Sequence, residues 1–394
     1  MKNLKMPSIE IKPDFNELTD ILKGKKMPHK VHFVELSIDE EVKSLIIESF
    51  FNEKYFSHPI VSIRAEGGLI TPDTFRSEDY SRSAERYYGQ VINFYHRMGF
   101  SYFPYFEYDD CFRALFCTQG ATSADTAYLS RGKREWAQEG FGLIRSWDDF
   151  ESFKWEDITN LLPYFENQLS YLNKILPDGM KALPTMSMFE LTLEYLLGYQ
   201  GLFFGMHDCP NLVRAILDKM GEITIEYYRR VSGLESVGAI WHTDDLGFKT
   251  ATMISTADLR DLVFPWFKRF IEIVHSNKKQ IWLHCCGYKD EIMKDLIYGL
   301  EFDALHSFED TCCPVIEYKK KYGDEIALLG GIDMDKLVRM AEDDLRIYIR
   351  NTLDICMKGG KYALGSGNTI SNYVPAENFF ILLEEGINWA GRND

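Results

Sequence analysis

The C-terminal half of the chain reads as a regular alternation of long amphipathic segments and short apolar runs. Apolar residues spaced three and four apart predict helices over Phe189–Leu197, Asn211–Ser232, Thr256–Ser276, Lys289–Tyr298, Pro314–Tyr322, Asp335–Cys356 and Pro375–Glu385. Ser255-Thr256 offers an N-cap to the third of these. Between them, short runs predict strands over Gly238–Asp245, Gln280–Cys286, Phe302–Phe308, Ile326–Ile332 and Lys361–Ser366. The first half is less regular. Helical spacing occurs over Ile38–Asn52 and Ser81–Met98, and β-rich runs over Pro59–Glu66, closed by Gly67-Gly68, and Phe100–Tyr108; Gly142–Trp147 reads as extended.

Strands that alternate with helices imply a parallel sheet. Five consecutive strand–helix units plus two or three earlier strands predict an α/β fold of the (β/α)8 TIM-barrel type. Residues 1–57 form an N-terminal helical extension and residues 58–394 one barrel domain on this reading. The alternative is a doubly wound open sheet. No Gly-x-Gly-x-x-Gly follows any predicted strand, which removes the usual reason to prefer it.

Composition narrows the function. The 394 residues are 45% hydrophobic and 14% aromatic, enough for a large core. A net charge of −16 argues against nucleic acid, whose binding rests on clustered Lys and Arg. It also argues against a polyanion held on a broad basic surface. The Lys-rich start has no apolar signal core, and no stretch approaches the ~20 apolar residues of a membrane span. Cysteines stand at Cys111, Cys117, Cys209, Cys285, Cys286, Cys312, Cys313 and Cys356, two pairs of them adjacent. Adjacent thiols make a poor disulfide framework, so a cytoplasmic location with reduced thiols is expected.

In a barrel the chemistry gathers at the C-terminal ends of the strands. Those ends carry His242, Asp244 and Asp245; His284, Cys285 and Cys286; His306, Ser307 and Glu309; Asp333; and Ser366 and Asn368. In a strand, alternate side chains share a face, so Trp282, His284 and Cys286 point one way. An imidazole and a thiolate two residues apart can reach one zinc ion. The competing reading is a satisfied core histidine beside a small buried hydrophobe. Asp333-Met-Asp335 precedes a helix and reads as a cap, whereas Asp244-Asp245 is followed by Leu-Gly, which favours a site. Asp244, Asp245 and Glu107 are candidate catalytic groups. Tyr105, Glu66, His242, Ser366 and Asn368 are candidate substrate contacts, and Cys312-Cys313 reads as loop packing ahead of a helix.

With these residues in view, the chain resembles the uroporphyrinogen decarboxylase-like superfamily. The likeness rests on Asp244-Asp245-Leu-Gly, Ile254-Ser255, Asp261-Leu-Val-Phe-Pro-Trp-Phe-Lys268, His284-x-Cys286-Gly287, Gly330-Gly-Ile-Asp333 and the tail Gly365–Asn378. It covers roughly residues 185–390 well and rests before that on Trp147-Asp-Asp-Phe and Lys154-Trp155. It implies a TIM barrel with a deep cleft at the strand C-termini. The superfamily divides broadly into tetrapyrrole decarboxylases and corrinoid-dependent methyltransferases. The decarboxylases' Arg-Gln-Ala-Gly-Arg type motif is replaced here by Ile63-Arg-Ala-Glu-Gly-Gly68, without the Arg pair. The methyltransferases resemble the chain better, because they place zinc on a His-x-Cys plus a distant Cys. His284 and Cys286 match the first two positions, and Ser366 stands at or near the third. Asp244, His242, Glu107 and Cys285 are the groups of suitable type to complete such a site. The resemblance also implies a corrinoid on a separate partner protein, since no Asp-x-His-x-x-Gly motif is present. Three readings follow: a corrinoid-protein methyltransferase, a cofactor-free decarboxylase using Asp244 or Asp245, and a non-catalytic binding paralogue.

Overall fold

The computed structural model describes residues 5–9, 12–116, 121–136 and 140–389. Seven parallel strands form one sheet in sequential order: β1 (Tyr102–Tyr105), β2 (Lys181–Met186), β3 (Ala239–Thr243), β4 (Gln280–His284), β5 (Ala304–His306), β6 (Ala327–Leu329) and β7 (Tyr362–Ala363). Helices follow the strands and cover the outer face. Each strand is apolar along nearly its whole length because both of its faces are buried.

The sheet curls. The Tyr102 ring of β1 lies 5.9 Å from that of Trp282 on β4, across the interior. Phe33 adds to the far edge by a parallel bridge to Leu364, just past β7. The remaining gap is spanned by a side chain: the Tyr102 hydroxyl accepts from Glu35 N at 2.7 Å and donates to Glu35 O at 2.8 Å. The expected eightfold ring is therefore found only in part: among the described residues seven strands pair in a curled sheet, and residues 32–35 lie between its two edges without forming an eighth strand. The N-terminal segment set apart above as a helical extension is stitched to the sheet through this bridge and a second one, Ile38 to Ile370. Helix Phe15–Leu22 packs at the opposite end of the strands, where Phe15 stacks 6.1 Å from Trp282.

Trp241, Trp282, Tyr102 and His306 fill the ring interior, with Trp241–Trp282 centroids 5.3 Å apart and Trp241–His306 5.5 Å. Each buried tryptophan contributes about 4–6 kcal/mol of apolar burial, as an upper bound. The ring is thus solid below and polar only toward its mouth.

Several expectations from pattern are corrected. Pro59–Glu66, expected as a strand, is helix Pro59–Ala65: proline at the first helical position and the His58 imidazole accepting from Ile60 N start a helix despite the β-branched residues. Gly142–Trp147 forms no strand; Gly142 and Ile144 hydrogen-bond to Leu197 O and Leu196 O instead. Strand β2 escaped notice because Pro184 interrupts a run of only six residues. The long helix expected over Asp335–Cys356 is two, Met334–Arg339 and Glu342–Cys356, broken at the extended Met340-Ala341.

Candidate metal centre

Strand β4 aims His284 into the ring, and Cys286, two residues on, follows it to the same side. The His284 Nε2 and Cys286 Sγ atoms lie 3.3 Å apart. The third member comes from the loop after β3. Asp245 Oδ1 accepts from Cys286 N at 2.7 Å and sits 3.6 Å from His284 Nε2. One ligand atom from each of the three lies within 4.8 Å of the other two. Gly247 and Gly287 permit this meeting of loops. A Cβ on Gly247 would fall 2.6 Å from Cys286 O, and one on Gly287 2.6 Å from Gly247 O; Gly287 also has φ +75°.

The group is held from behind. His284 Nδ1 is 2.7 Å from His306 Nδ1, and His306 Nε2 is 3.3 Å from Ser366 O. Since the carbonyl can only accept, His306 carries its proton on Nε2 and His284 on Nδ1. That leaves His284 Nε2 as an acceptor, taking a hydrogen bond from the Cys286 thiol at 3.3 Å beside Asp245; it is the tautomer a metal ligand needs, with the metal replacing the thiol proton. Below the loop, the buried Lys289 Nζ donates to Gly287 O and Ser307 O, each at 3.0 Å. On the open side, Asn368 Nδ2 donates to Cys286 Sγ at 3.1 Å.

Burial sets the charges. It drives the His284 imidazole down to about 3 with help from the nearby Lys289 cation, so the ring is neutral. Burial raises Asp245, and burial together with Asp245 raises the Cys286 thiol. A divalent cation at this point would reverse both trends and ionise the thiol, as it does for coordinating thiols generally. One carboxylate, one imidazole and one thiol match zinc's donor preferences, with a fourth position left open.

The structure separates the other candidates. Asp244 is fully buried on the outer face: its oxygens accept from Met188 N at 3.0 Å and Glu190 N at 2.8 Å, and His242 Nε2 sits 2.8 Å away. His242 faces the helix layer, bonded to Tyr228 and packed on Phe267. Ser366 turns its hydroxyl from the centre onto the buried carboxylate of Glu35, at 2.5 Å. Tyr105 is buried and donates to Gln168 at 2.9 Å. Glu66 is exposed at a helix C-terminus. Glu107 lies in a separate sealed cage, with Tyr80 and Tyr164 donating at 2.8 Å, Tyr88 at 2.6 Å and His58 Nε2 at 2.9 Å. Asp245, Cys286 and Asn368 are thus brought to His284, and the other six candidates are placed elsewhere. Among the groups thought able to complete the ligand set, none reaches it; Asp245 does.

A cavity of about 890 Å³ opens beside the centre. Asp245, Cys286 and Gly287 form its inner wall, with Glu190, Glu194, Glu309, Tyr199, Phe203 and Phe248 around it. Glu190 and Glu194 were not anticipated. Two glutamates four apart in the otherwise apolar Met188–Leu197 helix were the available signal.

The family model described as uroporphyrinogen decarboxylase (URO-D) matches residues 143–388. A methyltransferase from Methanosarcina mazei superimposes with a TM-score of 0.63 at 13% identity, covering 95% of this chain and 98% of that one. A vitamin-B12-independent methionine synthase from Listeria monocytogenes gives 0.46 at 11% identity, over 93% of this chain and 98% of its own. A search of curated proteins finds no match by sequence. Among the described residues, no helix is long and apolar enough to cross a membrane.

Proposed function

The chain belongs to the uroporphyrinogen decarboxylase family, and within it we propose a zinc-assisted methyltransferase. It moves a methyl group between a small substrate (a methoxy compound, an amine or a thiol) and a corrinoid carried by a partner protein. The observation that carries this reading is the convergence of Asp245, His284 and Cys286 on one point at the wall of a cavity. These three residues would hold the metal. When bound, zinc would supply Lewis acidity to a substrate heteroatom, making it a better nucleophile or leaving group. The chain's own part is positional. His306 fixes the His284 tautomer, Lys289 braces the loop that carries Cys286, and Asn368 holds the thiol in place. The fold-level likeness to a structure called a methyltransferase agrees with this reading but does not carry it.

The second reading, a cofactor-free decarboxylase, is disfavoured by two features. Asp244, one of its acid–base candidates, has its oxygens committed to backbone amides. The cavity wall holds Glu190, Glu194, Asp245 and Glu309 against Lys249 alone, poor surroundings for a polycarboxylate. Metal analysis of the purified protein decides among the readings. Near one zinc per chain, lost in His284→Ala and Cys286→Ala, is expected. Methylation of an added corrinoid protein would be followed by its visible spectrum. A metal-free protein that releases carbon dioxide from a carboxylated substrate would replace this reading with the second, and neither metal nor turnover would leave a binding paralogue. Reduced thiols, all free among the described residues, fit a cytoplasmic setting.

A further inference from the structure

The cavity beside the metal centre has a charge pattern that the methyl-transfer reading does not require. Glu190 and Glu194 are one helical turn apart and reach it from the segment after β2, while Glu309 enters from the loop after β5. Among the described residues none of the three forms an ion pair, and Glu194 accepts a hydrogen bond from Tyr195. The buried Arg113 guanidinium acts on both glutamates, and its field is shared with Asp109. Lys249 stands exposed at the rim. Lys289 is committed to carbonyl groups beneath the loop. Even with Asp245 given over to a metal ion, three carboxylates line the space and are under-compensated.

Crowded carboxylates cost free energy unless a cation joins them. The rest of the wall is aromatic. Phe203 is 46% exposed and Phe248 60% exposed, and both border the cavity with Tyr199. Phe248 lies on the short loop between Gly247 and Thr252, which also carries Lys249. Aromatic faces attract cations through the ring quadrupole, and methylated ammonium groups are the ligands that gain most from aromatic walls combined with negative charge. A volume of about 890 Å³ admits a small organic molecule beside the metal centre.

We propose that this cavity selects a methylated organic cation, an amine in its ammonium form, with Glu190 and Glu194 supplying charge and Phe203 and Phe248 the aromatic faces. The proposal rests on the methyl-transfer reading and narrows its substrate class, from methoxy compound, amine or thiol to an amine that enters as a cation and passes its ammonium proton to a wall carboxylate, which frees the nitrogen lone pair for the metal. An anionic thiol or carboxylate would enter against the same field.

The test is binding alone, read by calorimetry on the full-length zinc-loaded protein. Choline and its uncharged carbon isostere 3,3-dimethylbutan-1-ol serve as probes of equal shape. Choline is expected to bind more than about tenfold tighter than the isostere, with affinity falling as salt rises. Glu190→Gln and Glu194→Gln should each weaken choline about tenfold and leave the isostere unchanged, and Phe248→Ala should weaken choline severalfold. Equal binding of choline and isostere by the wild-type protein overturns the proposal, whatever the variants do. So does an undiminished choline affinity in the folded Glu190→Gln/Glu194→Gln double variant. Repeating the titration on Cys286→Ala separates the two readings. Cation selectivity that survives loss of zinc keeps the cavity assignment even if methyl transfer fails, and zinc with turnover but no selectivity removes this proposal alone.

Discussion

Two clusters of titratable side chains lie at the C-terminal ends of the strands, and they are built on opposite rules. Around Glu107, His58, Tyr80, Tyr88 and Tyr164, from three parts of the chain, converge on one carboxylate that is wholly buried, with the Cys111 thiol donating at 3.7 Å as well. The attraction of His58 and the hydroxyl donors hold Glu107 below its usual range despite burial, and the same carboxylate raises His58. Every lone pair has a partner, and no room is left for substrate. Around Cys286, by contrast, the groups face one another and open space: the imidazole nitrogen meets the thiol, the thiol is partly exposed, and the Asp245 carboxylate borders the cavity. The lesson is that a buried charge marks a site only where its coordination is unfinished. A finished network is architecture.

Breaking each cluster should separate these roles. The largest effect is expected for Cys286→Ala: zinc is lost and methyl transfer drops by more than about 100-fold, while the unfolding free energy, with both proteins stripped of metal, stays within about 1 kcal/mol of wild type. Glu107→Ala should do the reverse. Stranding His58 and three tyrosine hydroxyls costs about 3–5 kcal/mol in denaturant unfolding, with zinc per folded chain unchanged. A Glu107→Ala protein of wild-type stability would abolish the distinction. His306→Phe keeps the ring but removes the tautomer lock, so zinc affinity in a chelator competition should fall about 10- to 100-fold.

A third carboxylate sharpens the comparison through pH. Glu35 has only Ser366 as a side-chain partner, and burial pushes it up to about 8. Its folded form therefore binds a proton more tightly than the unfolded chain does. That contribution to stability is full below about pH 4.5 and is lost as pH rises through about 8. Melting temperatures should decline over this window in the wild-type protein and decline less in Glu35→Gln; equal slopes would contradict the assignment. The smallest effect is expected for Tyr105→Phe, which removes a single hydrogen bond to Gln168 and should cost about 1 kcal/mol.

Much of the fold was legible because strands buried on both faces are apolar without interruption, and because amphipathic helices advertise their period. Strands β3 to β7 follow that rule, as do most of the helices after them; the expected helix Lys289–Tyr298 is instead a 3-10 turn, Asp290–Ile292, and a π-helical segment, Asp295–Leu300. It failed at Pro59–Ala65, where a proline at a helix start outweighed β-branched residues, and at β2, where Pro184 hid a strand that pairs on both sides. The pairing of His284 with Cys286 was also legible, since a period of two puts both on one face.

What the sequence could not decide was which carboxylate joins them. Asp244 and Asp245 are neighbours of equal chemistry, yet the folded chain places the Met188 and Glu190 amides against Asp244 on the outer side and Cys286 against Asp245 on the inner. The sequence determines which residues are polar at the strand ends and which way each strand's side chains alternate. Only the tertiary structure decides the register between neighbouring strands, the close approach of Gly247 to Gly287, and the turning of Ser366 toward Glu35. These depend on contacts between residues distant along the chain, and a local pattern carries no record of such contacts.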